Sequence, residues 1–213
     1  MLHSYFELQK QLLVGTLITD SDGNTHGISE GFEKWFGLVN RVRKNDRKVI
    51  FIGNGGSACI ASHQSMDYSK SGFVRATAFT DLTLLTCLSN DYGYENVFKK
   101  SVEYYADAGD LLVAISSGGR SPNILAAVEE ARKKPCYVIT FSGFSADNPL
   151  RLSGDLNFYT PCDNYTLVEN VHLTLSHAFL ACHLHPRHKE EGGATVDHTI
   201  KGIHFVPESV TAS

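Results

Sequence analysis

Residues 48–72 read KVIFIGNGGSACIASHQSMDYSKSG, and this stretch decides the fold. Residues 49–52 form an apolar run between a charge and a glycine, which is typical of a buried strand. The glycine-rich segment 53–56 predicts a turn in which the backbone can closely approach a ligand. Ser57 is a suitable N-cap for a helix over residues 58–69. Free N–H groups and the positive end of the helix dipole converge at such a helix start, so the stretch predicts an anion site.

Two ionisable side chains follow on the same predicted helix. His63 and Asp67 are four residues apart, so they share one helix face just beyond the anion site. An imidazole and a carboxylate placed together in this way indicate acid–base chemistry or a metal site.

A second loop of the same kind occurs later in the chain. The apolar run 110–116 predicts a buried strand, SSGGRS at 116–121 follows it, and a helix is expected over 122–134 with proline in its first turn. Ligands bind at the carboxyl ends of strands in open α/β sheets. Serine hydroxyls and helix-start N–H groups suit a phosphate monoester, and Arg120 adds positive charge. We therefore expect Ser57, Ser116, Ser117 and Ser121 to converge on one anion.

The remaining pattern predicts an α/β fold, a parallel sheet covered on both faces by helices. Residues 89–106 indicate a loop that leads into a helix. Further strands are expected at 76–79, 83–88, 136–143 and 155–160, and further helices at 3–19, at 29–44 with Ser29 as its cap, and from Tyr165 to about His185. Residues 19–27 read as a polar turn.

This pattern also predicts how the chain is divided. We expect N-terminal helices at 1–45, a ligand-binding domain at 46–187 and an extended arm at 188–213. The apolar faces of the two N-terminal helices exceed what a single domain needs to bury. They therefore indicate packing against the domain or against another subunit.

Composition excludes several classes of protein. The 213 residues carry a net charge of −4 without a basic stripe, which argues against nucleic-acid binding. No apolar run is long enough to cross a membrane, and the first residues do not resemble a signal peptide. The five cysteines are scattered without a CxxC pair, which is typical of free thiols in the cytoplasm.

A dinucleotide-binding interpretation also fits part of the pattern. Gly53, Gly55 and Ala58 satisfy GxGxxG/A, and Asp81 lies at a suitable distance for a ribose contact. This interpretation explains neither the second serine-rich loop nor the ionisable pair. The chain has no GK[ST], so a P-loop is excluded.

Four motifs together resemble the SIS (sugar isomerase) domain of bacterial phosphoheptose isomerases. They are GNGGSA, SNDYGYE, AISSGGRSPNI and the late ExxHLTLSH, in the order in which that family has them. The resemblance covers roughly residues 30 to 185. It implies a three-layer SIS domain that converts sedoheptulose 7-phosphate to a manno-heptose 7-phosphate for surface polysaccharides. It also implies a homotetramer with active sites between subunits.

The resemblance assigns roles residue by residue. Asp67 and His177 match the catalytic pair, and a zinc ion is implied at the metal-binding positions His63, Asp67, Glu169 and His177. Phosphate-binding hydroxyls are implied at Ser57, Ser116, Ser117 and Ser121, and contacts with the sugar chain at Asn54, Asn90 and Asp91. The remaining predicted binding positions are the loop residues Gly55, Gly56, Gly118 and Arg120.

This chain departs from the family pattern at four of its positions. Asp67 replaces a glutamate, Glu169 a glutamine and Gly118 a loop serine, while Thr166 stands where an acidic substrate contact is expected. The aspartate shortens the reach of the carboxylate by one methylene. The added charge of Glu169 is expected to tighten metal binding.

The chemistry of an aldose–ketose isomerase requires a base at carbon, an acid at oxygen and a stabiliser for the enediolate. A carboxylate and an imidazole supply the proton transfers, and the sequence does not decide which of Asp67 and His177 acts at carbon. Helical spacing leaves His172 as an alternative to His177 for the place beside Glu169, because His172 lies only three residues from Glu169.

Two non-enzymatic interpretations stay open. One is a SIS protein that binds a protein partner, as a relative binds the replication initiator, and the other is a sugar-phosphate sensor. A pure binding module has no need of Asp67 and His177, and the sequence contains no DNA-binding segment.

Overall fold

The computed structural model describes residues 2–184, in which a seven-stranded sheet lies between two layers of helices. The strands are β1 (Leu17–Asp20), β2 (Thr25–His26), β3 (Val49–Gly53), β4 (Ala76–Ala78), β5 (Leu111–Ser116), β6 (Tyr137–Ser142) and β7 (Leu156–Tyr159). The helices are α1 (Leu2–Val14), α2 (Ile28–Lys44), α3 (Gly56–Lys70), α4 (Leu82–Tyr92), α5 (Val97–Tyr105), α6 (Pro122–Lys133) and α7 (Tyr165–Phe179). Two 3₁₀ turns, Tyr94–Asn96 and Pro149–Leu152, and a π-helical turn, Leu180–Leu184, complete the described part of the chain. This architecture confirms the predicted three-layer α/β class.

The sheet has the strand order β2-β1-β7-β6-β5-β3-β4. The strands from β3 to β7 pair in parallel, whereas β1 is antiparallel to both β7 and β2. The chain passes from β3 to β4 on one side and later returns to β5 on the other side of β3. The neighbours β3 and β5 therefore form a topological switch point, and open α/β sheets bind ligands at the carboxyl edge of such a point.

Alternation along each central strand supplies apolar side chains to both faces. On β3, Val49 and Phe51 face the layer of α2, α3 and α7, whereas Ile50 and Ile52 face α4, α5 and α6. Helix α2 buries its apolar residues in this core, and its Trp35 stacks on Phe179 of α7 with 4.0 Å between ring centroids. The domain itself therefore covers the apolar face of α2, which is the first of the two alternatives expected for this helix.

The predicted strand at 83–88 is wrong, because these residues lie within α4. The side chain of Asp81 accepts a hydrogen bond from the backbone N–H of Leu84 at 2.9 Å and caps the helix. Leu84 and Leu88 then recur at helical spacing and pack on the second face of the sheet. Helix α4 also includes residues 89–92, which were expected to form a loop.

The predicted helix at 3–19 ends five residues early. Helix α1 stops at Val14, after which residues 17–20 form β1 against β7 and residues 25–26 return as β2. The turn at 20–24 is closed by the carboxylate of Asp20, which accepts hydrogen bonds from the N–H groups of Asp22 and Asn24. The polar segment is therefore a hairpin that extends the sheet.

Both predicted serine caps are wrong, because each lies two residues after the observed N-cap. Helix α2 begins at Ile28 after Gly27, and α3 begins at Gly56 after Gly55, which has a φ of +54°. Neither helix has a side-chain cap at these positions. Ser57 lies instead in the first turn of α3 and is buried.

The division of the chain at residues 45 and 46 stays a prediction. The expected arm at 188–213 lies outside the described residues. Between residues 2 and 184, no helix is long and apolar enough to cross a membrane.

Candidate functional site

The two glycine- and serine-rich loops lie side by side at the switch point. Gly53 at the end of β3 is in register with Ile115 near the end of β5. Beyond them, the amides of Asn54 and Asn123 exchange two hydrogen bonds of 2.9 Å. This pair joins the first loop to the start of α6, which the second loop enters.

The serines of these loops are largely withdrawn from solvent. Ser57, Ser116 and Ser117 are each less than 7% exposed, and the hydroxyls of Ser116 and Ser121 lie 3.2 Å apart. The buried Oγ of Ser117 has no hydrogen-bond partner among residues 2–184. A buried hydroxyl without a partner is unfavourable, so this atom is suited to bind a ligand oxygen. The positive φ of Gly55 turns the backbone sharply into the start of α3.

Arg120 follows the second loop but faces an exposed carboxylate. Its guanidinium forms an ion pair with Asp147 at 2.7 Å, and both side chains are more than half exposed. Ser145 and Arg120 together lower the pKa of the Asp147 carboxyl through hydrogen bonds and charge. The positive charge of Arg120, which was expected to bind the phosphate, is therefore also paired with this carboxylate. In the same loop, a Cβ at Gly118 would have no neighbouring atom within 4 Å.

Asn90 and Asp91 lie on the last turn of α4 and are exposed. The amide of Asn90 donates to the carboxylate of Asp91 at 2.9 Å, and neither residue has a hydrogen bond to the two loops within the described part of the chain. Tyr94 does connect this segment with the site, since its hydroxyl donates to Oδ1 of Asn54 at 2.8 Å. The motif SNDYGYE contained Tyr94, but nothing in its spacing singled out this side chain.

Three of the four expected metal-binding residues come together between α3 and α7. Oδ2 of Asp67 lies 3.3 Å from Nε2 of His63 and 3.7 Å from Nε2 of His177. The potential ligand atoms of all three lie within 4.8 Å of one another, and all three side chains are accessible. Two imidazoles and a carboxylate are a usual donor set for a tetrahedral zinc ion that retains an open position. The group can therefore hold a metal ion.

Glu169 is not a member of this group. Its carboxylate lies over Gly56 at the start of α3, where it would collide with any Cβ at that position. It makes no hydrogen bond or ion pair with residues 2–184, and it lines a cavity of about 300 Å³ together with Ile60, His63 and Leu173. Glu169 precedes His177 by eight residues, which is about 12 Å along a helix, and this distance separates the two side chains.

His172 does not compete with His177. It is fully buried in the core, where its Nε2 lies 3.2 Å from the carbonyl oxygen of Ser142 and its ring packs on Phe141. Burial lowers the pKa of His172 to about 4, so the imidazole is neutral. The spacing argument from Glu169 is wrong, because α7 turns His172 towards the sheet.

The position of Asp81 does not support the dinucleotide-binding interpretation, in which this carboxylate was expected to contact a ribose. The carboxylate of Asp81 caps α4 and lines a separate cavity of about 910 Å³ with Phe79, Tyr104 and Tyr105. This cavity lies beside β4 at the edge of the sheet, away from the β3–β5 switch point.

Comparison with known proteins agrees with this geometry. Residues 28–143 match the SIS domain family. A phosphoheptose isomerase from a Bradyrhizobium species is 35% identical over 146 residues, which cover 66% of this chain and 73% of the relative. The solved phosphoheptose isomerase from Neisseria gonorrhoeae is 29% identical, with a TM-score of 0.68 over 84% of this chain and 91% of that one.

A second solved phosphoheptose isomerase, from Francisella tularensis, is 27% identical and has a TM-score of 0.71 over 84% of this chain and 94% of that one. These matches confirm the resemblance that the four sequence motifs indicated. The chain belongs to the phosphoheptose isomerase family of SIS-domain proteins.

Proposed function

We propose that this protein is an aldose–ketose isomerase that converts sedoheptulose 7-phosphate to a manno-heptose 7-phosphate for the heptose of surface polysaccharides. One observation supports the proposal: the two serine-rich loops lie at the start of α3, and the group of His63, Asp67 and His177 lies further along the same helix. His63 lies about 10 Å along the helix from Gly56. A sugar chain with its phosphate at the loops would thus extend towards Asp67 and His177. The phosphoheptose isomerase relatives support this substrate class.

In the proposed reaction, the serines of the two loops and the N–H groups at the start of α3 bind the phosphate. The carboxylate of Asp67 removes a proton from C1 of the ketose and returns one to C2 of the aldose. The imidazole of His177 donates a proton to the carbonyl oxygen at C2 and accepts one from the hydroxyl at C1, through the ring nitrogen that does not face Asp67. The net change moves one hydrogen between neighbouring carbons and consumes no co-reactant.

A zinc ion would be held by His63, Asp67 and His177 and would stabilise negative charge on the enediolate oxygens. The donor set and its half-exposed position support this assignment. Glu169 lies at the start of α3, so we assign it to the wall of the substrate cavity rather than to the metal.

We also propose that the protein is a cytoplasmic homotetramer with active sites between subunits. Leu2, Phe6 and Val14 on α1 are more than half exposed, which supports association through this helix. The accessibility of His63 and His177 leaves room for a neighbouring subunit to complete the site. The five cysteines form no disulfide bond with one another, which supports a reducing compartment.

The proposed function is tested by NMR in D₂O with ketose phosphates of five, six and seven carbons. We expect turnover of the seven-carbon substrate and deuterium at C2 of the aldose product, because the enediol exchanges with solvent. His177→Ala should abolish both signals while the protein stays folded. Leu152→Ala, at an exposed position in the 3₁₀ turn Pro149–Leu152, serves as the control and should behave as wild type. Absence of turnover with all three ketose phosphates would refute the proposal.

A further inference from the structure

The amide of Asn54 is held by two neighbours at the switch point. Its Oδ1 accepts hydrogen bonds from Nδ2 of Asn123 at 2.9 Å and from the hydroxyl of Tyr94 at 2.8 Å. Its Nδ2 donates one hydrogen bond to Oδ1 of Asn123, also at 2.9 Å. A carbonyl oxygen has two lone pairs and an amide nitrogen has two N–H groups. Within residues 2–184, the carbonyl oxygen of Asn54 is therefore saturated, whereas one N–H remains for a ligand.

The two neighbours of Asn54 are themselves held in place. Asn123 is 2% exposed in the first turn of α6, so its amide is fixed by packing. Tyr94 follows Gly93, whose φ of +81° ends α4 and starts the short 3₁₀ turn. A hydrogen bond from the N–H of Asn96 to the carbonyl oxygen of Gly93 closes this turn. The hydroxyl of Tyr94 thus reaches Asn54 from a defined backbone position.

We propose that Tyr94 and Asn123 are positioning residues that present Asn54 to the substrate only as a hydrogen-bond donor. The inference rests on the proposed function, because it assumes a sugar phosphate at this edge of the sheet. Carbonyl and phosphate oxygens of such a ligand accept hydrogen bonds and cannot donate them. A rotated amide would turn its own oxygen towards them and leave both groups without a partner. Tyr94 and Asn123 therefore favour an acceptor oxygen of the sugar phosphate next to Asn54.

The test replaces Tyr94 by phenylalanine and measures the Kd of sedoheptulose 7-phosphate by calorimetry, together with kcat and KM. Loss of one hydrogen bond predicts about a five- to tenfold increase in Kd and KM for Tyr94→Phe. The change in kcat should be smaller, because Asn54 lies at the phosphate end of α3. Tyr94 is 54% exposed, so the midpoint of thermal unfolding should not change.

Tyr104→Phe is the matched control, because Tyr104 is 51% exposed and its hydroxyl donates only to that of Tyr92. It should bind and turn over the substrate as wild type does. A double-mutant cycle separates positioning from a general structural effect. Once Asn54→Ala has removed the amide, Tyr94→Phe should cause no further increase in Kd.

Two results with the variants would overturn the inference, and one with the wild type. One is a wild-type Kd for Tyr94→Phe, and the other is an equal loss of affinity with and without Asn54. A wild-type protein that does not bind the sugar phosphate would also overturn it. If the wild type binds the sugar phosphate without isomerising it and Tyr94→Phe weakens binding, the proposed function fails and this inference stands.

Discussion

At the scale of single residues, the carboxylate of Asp67 is central to the proposed metal site. Its Oδ2 faces Nε2 atoms of two histidines from two different helices, at 3.3 and 3.7 Å. A divalent ion between these atoms would bind all three residues at once. Removing any one ligand leaves two, which is too few for a tight zinc site.

We therefore predict one zinc ion per chain in protein purified without chelator. Asp67→Asn and His63→Ala should each weaken zinc binding at least tenfold, as measured by metal analysis and by competition with a chromogenic chelator. Glu169→Gln is the matched control, because it removes a carboxylate from the same cavity without touching the three ligands. Equal loss of zinc from Glu169→Gln would show that Glu169 is a ligand after all.

His172 should make folding sensitive to acid. Burial lowers the pKa of His172 from 6.5 to about 4, so the unfolded chain binds more protons between these pH values. The resulting stabilisation is fully present above pH 6.5 and is lost as the pH falls towards 4. The difference corresponds to at most about 3 kcal/mol in the free energy of unfolding.

His172→Gln should reduce the loss of stability between pH 7 and pH 4.5, since glutamine does not titrate. Urea unfolding at both pH values measures the effect as a difference between the two proteins. If both proteins lose the same free energy of unfolding on acidification, the source of acid sensitivity lies elsewhere.

At the scale of elements, the turn from β3 into α3 depends on one close approach of backbone to backbone. A Cβ at Gly53 would collide with the backbone carbonyl group of Ser57, which cannot move without displacing the start of α3. Gly118, in the second loop, has no atom within 4 Å of the corresponding position. A methyl side chain therefore fits at Gly118 but not at Gly53.

We predict that Gly53→Ala lowers the free energy of unfolding by about 1–3 kcal/mol, because the backbone has to shift. Gly118→Ala should change it by no more than about 0.5 kcal/mol, as substitutions without new contacts usually do. Urea unfolding of the two variants measures both values. Equal effects of the two substitutions would contradict the close-approach argument.

At the scale of the whole molecule, helix α1 packs on the core with one side only and leaves several apolar side chains exposed. Only Leu12 of this helix is buried, whereas Phe6 is 57% and Val14 75% exposed. Such residues are favourable in an oligomer, because association removes their apolar surface from water. Helix α1 is therefore the surface on which the proposed tetramer depends.

Phe6→Glu together with Val14→Glu should convert the proposed tetramer into smaller species in light scattering at micromolar concentration. Leu152→Glu, at a residue that is 74% exposed in the 3₁₀ turn before β7, is the control and should leave the mass unchanged. A monomeric wild-type protein would contradict the proposed assembly directly.

The sequence alone determined the parts of the molecule that are set by neighbouring residues. The strand, glycine loop and helix at 48–72 could be predicted because apolar runs and glycines act locally. The loop at 116–121 could be predicted in the same way. His63 and Asp67 could be placed on one face because four residues make about one helical turn. The order of the motifs was sufficient to indicate the family.

Only the tertiary structure decided the features that depend on distant parts of the chain. Strand β1 exists because residues 17–20 pair with β7, about 140 positions later, and no local pattern records that pairing. Residues 83–88 became a helix because Asp81 caps them and the second layer covers their apolar face.

The same holds for the last helix, where sequence spacing suggested that Glu169 faces His172, whereas the structure brings neither His172 nor His177 to Glu169. Packing of Phe179 against Trp35 and of Val171 in the same core sets the rotation of α7. That rotation buries His172 and brings His177 to Asp67. The sequence pattern of α7 is compatible with more than one rotation of the helix about its axis. The contacts of its apolar face with the rest of the core therefore determine the rotation that is observed.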